Sequence, residues 1–283
     1  MTPVTEPTQL FEQHRPQLRA VAYRMLGSLS EADDAVQETW LRLARTDTGD
    51  VENLAAWLTT VVARVCLNTL RARRQRREEP LDVRIPDPVI SDPEDAAVVA
   101  DSVGLVLLVV LDTLSPNERL AFVLHDMFAV PFDEIGAIID RSPAATRQLA
   151  SRARRRVQDQ APTPDPDLAR QREAVDAFLA AAHDGDFDAL VAVLHPDVVL
   201  RSDGGVARAR FTTVIKGART VAGQATGFAR FSPFARPALV NGAAGVVVVA
   251  GGRPLAVMAF VVTGGTIAAI DVIADPERLR ALV

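Results

Sequence analysis

Apolar positions fall at helical spacing through the first half of the chain and in dense valine-rich runs near its end. Val36, Trp40, Leu43 and Ala44 recur every three or four residues behind Ser30 and Asp33, a start resembling a capping box, so an amphipathic helix is predicted near 31–45. A longer helix is predicted from Asn53, with Leu54, Leu58, Val61, Val65 and Cys66 as its apolar stripe. Ser115, Pro116 and Glu118 read as N-cap, first-turn proline and N3 acid of a helix continuing through Leu120, Val123 and Leu124. After the break Ala129-Val130-Pro131 comes a short helix carrying Ile135, Ile138 and Ile139. Asp140-Arg141-Ser142-Pro143 then opens another, running to about Val157. Two short helices across a tight turn match a helix-turn-helix.

The pattern changes after Gln160-Ala161-Pro162-Thr163-Pro164-Asp165-Pro166, whose alternating prolines stiffen the chain and end the preceding helix. Residues 168–184 are amphipathic through Ala169, Val175, Phe178, Leu179 and Ala182, and 185–205 predict a second helix, a turn at His195-Pro196-Asp197 and a strand into Asp203-Gly204-Gly205. Apolar runs at 238–241, 244–250, 255–263 and 266–273 are separated by Asn-Gly and Gly-Gly turns and predict a curved antiparallel sheet. The expected architecture is multidomain: two all-α domains, the second a helix-turn-helix, followed by an α+β cone. Its expected boundaries are a helical domain at 1–79, an acidic linker at 80–110, the helix-turn-helix domain at 111–160, a Pro-rich hinge at 161–167 and the cone at 168–283.

Charge sharpens this division. The net charge is −5, and Asp82, Asp87, Asp92, Glu94, Asp95 and Asp101 against Arg84 alone place that whole deficit inside the linker. Arg71, Arg73, Arg74, Arg76 and Arg77 crowd the end of the long helix; such a block repels itself, and a polyanion partner is the physically economical reason for it. Between 141 and 156 there are six arginines and no acid. With Ala145 set at zero and about 100° per residue, Leu149, Ala153 and Val157 form one apolar stripe near 40° to 120°. Arg147, Ser151, Arg154 and Arg155 then lie near 180° to 280°, with Ala144 and Gln148 adjoining, roughly opposite that stripe. A helix apolar behind and basic in front suits a major groove.

Other chemistry is sparse. Cys66 is the single cysteine and sits on an apolar stripe, so it reads as a buried small hydrophobe; His14, His125, His183 and His195 have no ligand spacing. No cofactor and no metal site is expected, and no catalytic set emerges. The polar start MTPVTEPTQL lacks a charged-then-apolar leader, so a cytoplasmic address without a membrane partner is expected. The outer face of the 31–45 helix, with Asp33, Asp34, Gln37 and Glu38, is either solvated surface or a partner patch; composition alone favours the former.

EADDAVQETWLRL at 31–43 and AAWLTTVVARVCLNTLRARRQRR at 55–77 resemble region 2 of bacterial sigma factors, and 111–157 resembles their region 4 helix-turn-helix. The ordered pair resembles the extracytoplasmic-function type. That resemblance implies a promoter-specificity subunit, not an enzyme, with core RNA polymerase and promoter DNA, double-stranded and locally melted, as partners. By resemblance Asp33, Asp34, Gln37, Glu38 and Leu41 would meet the polymerase. Asn53, Trp57, Thr60, Arg64, Asn68, Arg71, Arg73 and Arg74 would hold the −10 element. Ala144, Arg147, Gln148, Ser151, Arg154 and Arg155 would read the −35 element. Trp57 either stacks on an unpaired base or packs on its own core. The acidic linker either mimics nucleic acid inside polymerase channels or is a solvated spacer.

The C-terminal part resembles a SnoaL-like, NTF2-like fold fused in one group of these factors. That group often has Asp-Gly-Gly-Gly-Lys after the first strand and Asn-Pro-Asp-Lys-Leu near the end. Here Asp203, Gly204 and Gly205 are followed by Val206 and Ala207, losing the last glycine and the lysine, whereas Asp275, Pro276, Glu277, Arg278 and Leu279 keep the second pattern with conservative changes. The resemblance implies a regulatory domain with room for a small ligand in the cone, and His195, Asp203, Arg208 and Arg210 are candidates for its mouth. Alternatives are a ligand-responsive helix-turn-helix regulator, for which 31–77 has no use, and an NTF2-like enzyme.

Overall fold

The computed structural model describes residues 5–46, 51, 53–76, 84–93 and 104–282. Arg77 and the acidic stretch from Glu94 to Asp101 lie outside them. The chain divides into two compact units, Met1–Pro80 with Val110–Gln160, and Leu81–Val109 with Ala161–Val283. The two helical segments separated in the sequence reading thus share one unit, and the linker falls with the C-terminal unit.

In the first unit α1 (Thr5–Leu26), α2 (Leu29–Leu43) and α3 (Leu54–Arg76) pack around Phe11, Leu18, Val36, Leu58, Val62 and Cys66, all nearly inaccessible. α2 starts ahead of its predicted cap: Ser28, in extended conformation, occupies the N-cap, and Ser30 lies inside the first turn. Trp40 packs at 5.1 Å on Phe11. Asn53 caps α3, its Oδ1 accepting the Ala56 N–H at 3.0 Å. Burial pushes the Cys66 thiol up to about 12, which keeps it protonated and inert.

α5 (Pro116–Phe122) follows α4 (Leu105–Asp112), within which the boundary between units falls. The capping box is present: Ser115 Oγ accepts the Glu118 N–H at 3.4 Å, and Glu118 Oε2 accepts the Ser115 N–H at 3.1 Å. α5 widens into a π turn at Val123–Met127, where the His125 ring stacks on Phe132 at 3.7 Å and its Nδ1 donates to the Val130 carbonyl at 3.0 Å. His125 is therefore a structural part of the turn. α6 (Phe132–Ile139) and α7 (Pro143–Gln160) meet across Asp140, Arg141 and Ser142. Gly136 permits that tight approach, because a Cβ there would stand 2.5 Å from the Arg141 carbonyl oxygen.

The second unit is β-rich. Its seven-stranded sheet runs in the order β1 (Ile90–Ser91), β4 (Ala235–Val240), β5 (Ala243–Ala250), β6 (Arg253–Thr263), β7 (Thr266–Ile273), β2 (Leu194–Asp203) and β3 (Thr213–Lys216). α8 (Leu168–Asp184), α9 (Phe187–Val193) and α10 (Ala218–Thr226) share a core with the sheet through Val175, Phe178, Leu190, Val221, Val246 and Phe260. The four apolar runs form β4 to β7, each antiparallel to the next as expected, while β2, outside those runs, joins β7 in parallel. One expectation is corrected. His195-Pro196-Asp197 is no separate turn but lies within β2, at an irregularity where the register jumps from Leu194/Ile267 to Val199/Ala269.

Candidate nucleic-acid interface and C-terminal clasp

The face of α7 is set by what it buries. Thr146, Ala150 and Ala153 are buried, whereas Ala145, Leu149 and Val157 are half-buried. The inward side is therefore centred near 105° rather than on the stripe counted from apolar residues alone, about 25° away. Thr146 is the cause: its Oγ1 donates to the Ser142 carbonyl at 3.0 Å, which lets a hydroxyl enter the core without penalty. Opposite this side Ala144, Gln148 and Arg155 are exposed, with Ser151 half-buried beside them. Arg147 is exposed at one edge, its guanidinium 5.2 Å over the Phe132 ring. Arg154 turns to Asp126, with which it is ion-paired.

Arg152 and Arg156 flank α7 and reach Glu118 at 3.6 and 3.4 Å. Burial raises the Glu118 carboxyl, but hydrogen bonds from Ser115, with Arg156 and Arg152, outweigh it and hold the group below the usual carboxylate range. The cap of α5 and this edge of α7 are thus one electrostatic assembly.

On α3, Asn53, Trp57, Thr60, Arg64, Asn68 and Arg71 step by three or four residues and so line one side of the helix. Asn53, Arg64, Asn68 and Arg71 are exposed; Trp57 and Thr60 are half-buried. Arg71 donates to Asn117 Oδ1 at 3.1 Å, and exposed Arg74 lines a recess with Ser115 and Pro116. Arg73, grouped above with the DNA-facing arginines, points the other way: it pairs with Glu31 and donates to the Leu26 carbonyl at 3.0 Å. It lies two residues and about 200° beyond Arg71, which turns it inward.

Sequence reasoning missed Arg119. It is 2% exposed, donates to the Arg24 carbonyl at 3.1 Å and to Asp112 at 2.8 Å, and so ties α5 to the end of α1. Nothing in the sequence PNERLAF sets it apart, since Asn117 and Glu118 precede it as ordinary first-turn polar residues. On α2, Asp33, Asp34, Gln37 and Leu41 are exposed and Glu38 is half-buried. Asp33 is bonded to Arg19 at 2.6 Å and Glu38 to Arg42 at 3.1 Å, exposed pairs that leave the patch accessible.

The two C-terminal motifs come together. Asp203 ends β2, buried; its Oδ1 accepts the Gly205 N–H at 3.0 Å and its Oδ2 accepts Arg278 at 2.6 Å and the Ile85 N–H at 3.1 Å. Gly205, at φ +60°, sits against Asp275, whose Oδ2 a Cβ would meet at 2.2 Å; Gly204 is equally tight against Arg208. Asp275 accepts the Glu277 N–H at 2.9 Å and Pro276 opens α11 (Pro276–Leu282). Leu279 is fully buried, and Glu277 is exposed. Arg278 also donates to Asp87 at 2.7 Å and to the Ile85 carbonyl at 2.6 Å. Val89 and Asn241 then exchange two hydrogen bonds, and β1 pairs with β4. Residues 84–91, read above as linker, are therefore clasped on the C-terminal unit, with Ile85 completely buried.

Of His195, Asp203, Arg208 and Arg210, Arg210 lines the apolar cavity beside α8 and the other three do not. Asp203 belongs to the clasp, Arg208 donates to the carbonyls of Leu255 and Ala274, and His195 Nδ1 accepts the Asp197 N–H. Among the described residues no group of three or more His, Cys, Asp or Glu is placed to hold a metal ion. No helix there is long and apolar enough to cross a membrane.

Two helical segments in this order, one ending in a helix-turn-helix with a basic outer face, define a sigma-type promoter-recognition protein. Residues 10–77 match the family Sigma-70 region 2, and residues 105–157 match Sigma-70, region 4. The chain is 39% identical to the ECF RNA polymerase sigma factor SigJ of Mycobacterium tuberculosis over 95% of its own length and 91% of that protein's. It is 35% identical to a probable ECF RNA polymerase sigma factor, SigI, of the same organism, over 95% of this chain and 93% of that one. The crystal structure of M. tuberculosis SigJ superposes with a TM-score of 0.77 at 36% identity, covering 96% of this chain and 98% of that one. The chain belongs to the extracytoplasmic-function RNA polymerase sigma factors, close to SigJ.

Proposed function

We propose that this chain is a promoter-specificity subunit whose surfaces divide the task as follows. The exposed side of α7, from Ala144 through Arg147, Gln148, Ser151 and Arg155, reads the −35 element as duplex, with Arg154 released from Asp126 to hold a phosphate. The outward stripe of α3 from Asn53 to Arg71, with Arg74, holds the melted −10 strand, and Trp57 offers a stacking face. Arg73 braces α3 from behind. The exposed side of α2, Asp33, Asp34, Gln37, Glu38 and Leu41, docks on core polymerase. The C-terminal unit, an NTF2-like cone, modulates initiation through the segment 84–91 that it clasps.

The observation that carries this reading is the outward basic side of α7, free of acids from Pro143 to Arg156, in the same chain as a second hydrogen-bonding and basic stripe on α3. A simple helix-turn-helix regulator has no use for the second. The two elements lie about 25 base pairs apart by their names, about 85 Å of B-form duplex. Arg71 and Asn117 touch, so α3 and α5 must part before both elements are held. The test is reconstitution: purified full-length chain and core polymerase should co-elute and initiate from a promoter selected by the complex. Absence of both co-elution and initiation rejects the reading.

A further inference from the structure

The C-terminal unit contains a cavity of about 110 Å³, open at one end, between α8, the sheet and the segment 228–235. Phe178, Phe211, Phe228 and Phe231 wall it, and Phe228 remains 41% exposed at the opening. An apolar space of this size is filled by one aromatic ring or a short hydrocarbon chain, since cavities near 150 Å³ take up benzene. The folded chain has not closed it with its own side chains: small Ala182 and Ala225 stand on its wall.

The charge on its lining has one sign. Arg210 is the only charged residue on the lining, and its guanidinium lies 4.9 Å over the Phe211 ring. Arg230 stacks in the same way at 4.7 Å on Phe231, another lining ring. Among the described residues no carboxylate is paired with either. From Gly204 to Ile270 the chain has no Asp or Glu at all, against Arg208, Arg210, Lys216, Arg219, Arg230, Arg236 and Arg253. This positive stretch supplies Arg210, Phe211, Phe228 and Phe231 of the lining. An opening with guanidiniums on aromatic faces before an apolar interior matches an amphipathic anion: the body enters, and the acidic group stays at the arginines.

We propose that this cavity binds a small carboxylic acid with a single-ring or short-chain body, its carboxylate held by Arg210. The inference deepens the modulating role given above to the C-terminal unit and rests on that reading only for its purpose. Its test reads binding rather than transcription, so either can fail while the other stands.

The experiment is calorimetric titration of the full-length chain with 3-phenylpropionate, hexanoate and hexanol, on the unaltered protein, Arg210→Gln and Ala225→Leu. Saturable binding of at least one acid is expected, at least tenfold tighter than hexanol. Arg210→Gln should remove that preference and leave hexanol unchanged, and Ala225→Leu should abolish binding of all three by filling the space. No saturable binding of either acid overturns the proposal, as does equal affinity for acid and alcohol, or an acid affinity unaltered by Arg210→Gln. If Ala225→Leu does not fold, the surface variant Arg210→Gln decides alone.

Discussion

Replacing Arg278 with alanine should release residues 84–91 from the C-terminal unit. The guanidinium bonds both Asp87 and Asp203, whose side chains are 13% and 9% exposed, and also the Ile85 carbonyl. Removing one partner of a buried charged set costs about 3–5 kcal/mol, because the remaining carboxylates lose their counter-charge while still desolvated. Arg278 itself keeps 20% exposure, so water recovers part of this, and about 3 kcal/mol is the working figure. At about 1.4 kcal/mol per decade, local opening becomes about a hundred times more populated. Amide hydrogen exchange reads it directly, since the Ile85 N–H is bonded to Asp203 and the Val89 N–H to Asn241. Both amides should exchange about a hundredfold faster, with the helices of the first unit unaffected. Arg278→Lys should fall between, keeping charge but losing the fork. Unchanged protection of Ile85 in Arg278→Ala would refute the clasp as the anchor of this segment.

Glu118 predicts an acid sensitivity in the first unit. Its folded carboxyl is held below the ordinary value, so its stabilisation is complete above the unfolded pKa and is lost as pH falls through the lowered one. Glu118→Gln should flatten the acid limb of thermal stability followed by circular dichroism, and Ser115→Ala should cost about 1 kcal/mol at neutral pH. Cys66, with its thiol pushed up to about 12 and fully buried, should resist iodoacetamide in the native chain and be alkylated only with unfolding, as mass spectrometry would record. Leu41→Asp on α2 should weaken co-elution with core polymerase severalfold while leaving helicity unchanged, because Leu41 is 40% exposed and holds no core position.

Much of the first unit was legible because its signals are local. The capping box at Ser115 and Glu118, the break before Pro131 and the start at Pro143 each act within one helical turn. What local reasoning could not supply is which side of a helix is covered. Thr146 was missed as a core residue because its hydroxyl is satisfied by a backbone carbonyl four residues away, and Arg73 was counted with Arg71 although the helix turns it inward. The clasp was less legible still. Ile85-Pro86-Asp87-Pro88 has the composition of a spacer, and Asp203 the signature of an Asx turn, which it does form. Its other oxygen meets Arg278, 75 residues on, a pairing no spacing rule reaches. The parallel contact of β2 with β7 is hidden for the same reason of distance along the chain.

The surfaces proposed for polymerase docking, duplex reading and strand holding are separate faces of one polypeptide. Arg147→Glu, a reversal at an exposed position of α7, tests this separation most directly when transcription with core polymerase is measured on a fully duplex promoter and on the same promoter opened at −10. The expected result is a loss of about tenfold or more on the duplex template, from one lost contact of about 1–3 kcal/mol and added repulsion, with co-elution and initiation on the opened template retained. Equal loss on both templates, or an unchanged rate on the duplex, would contradict it.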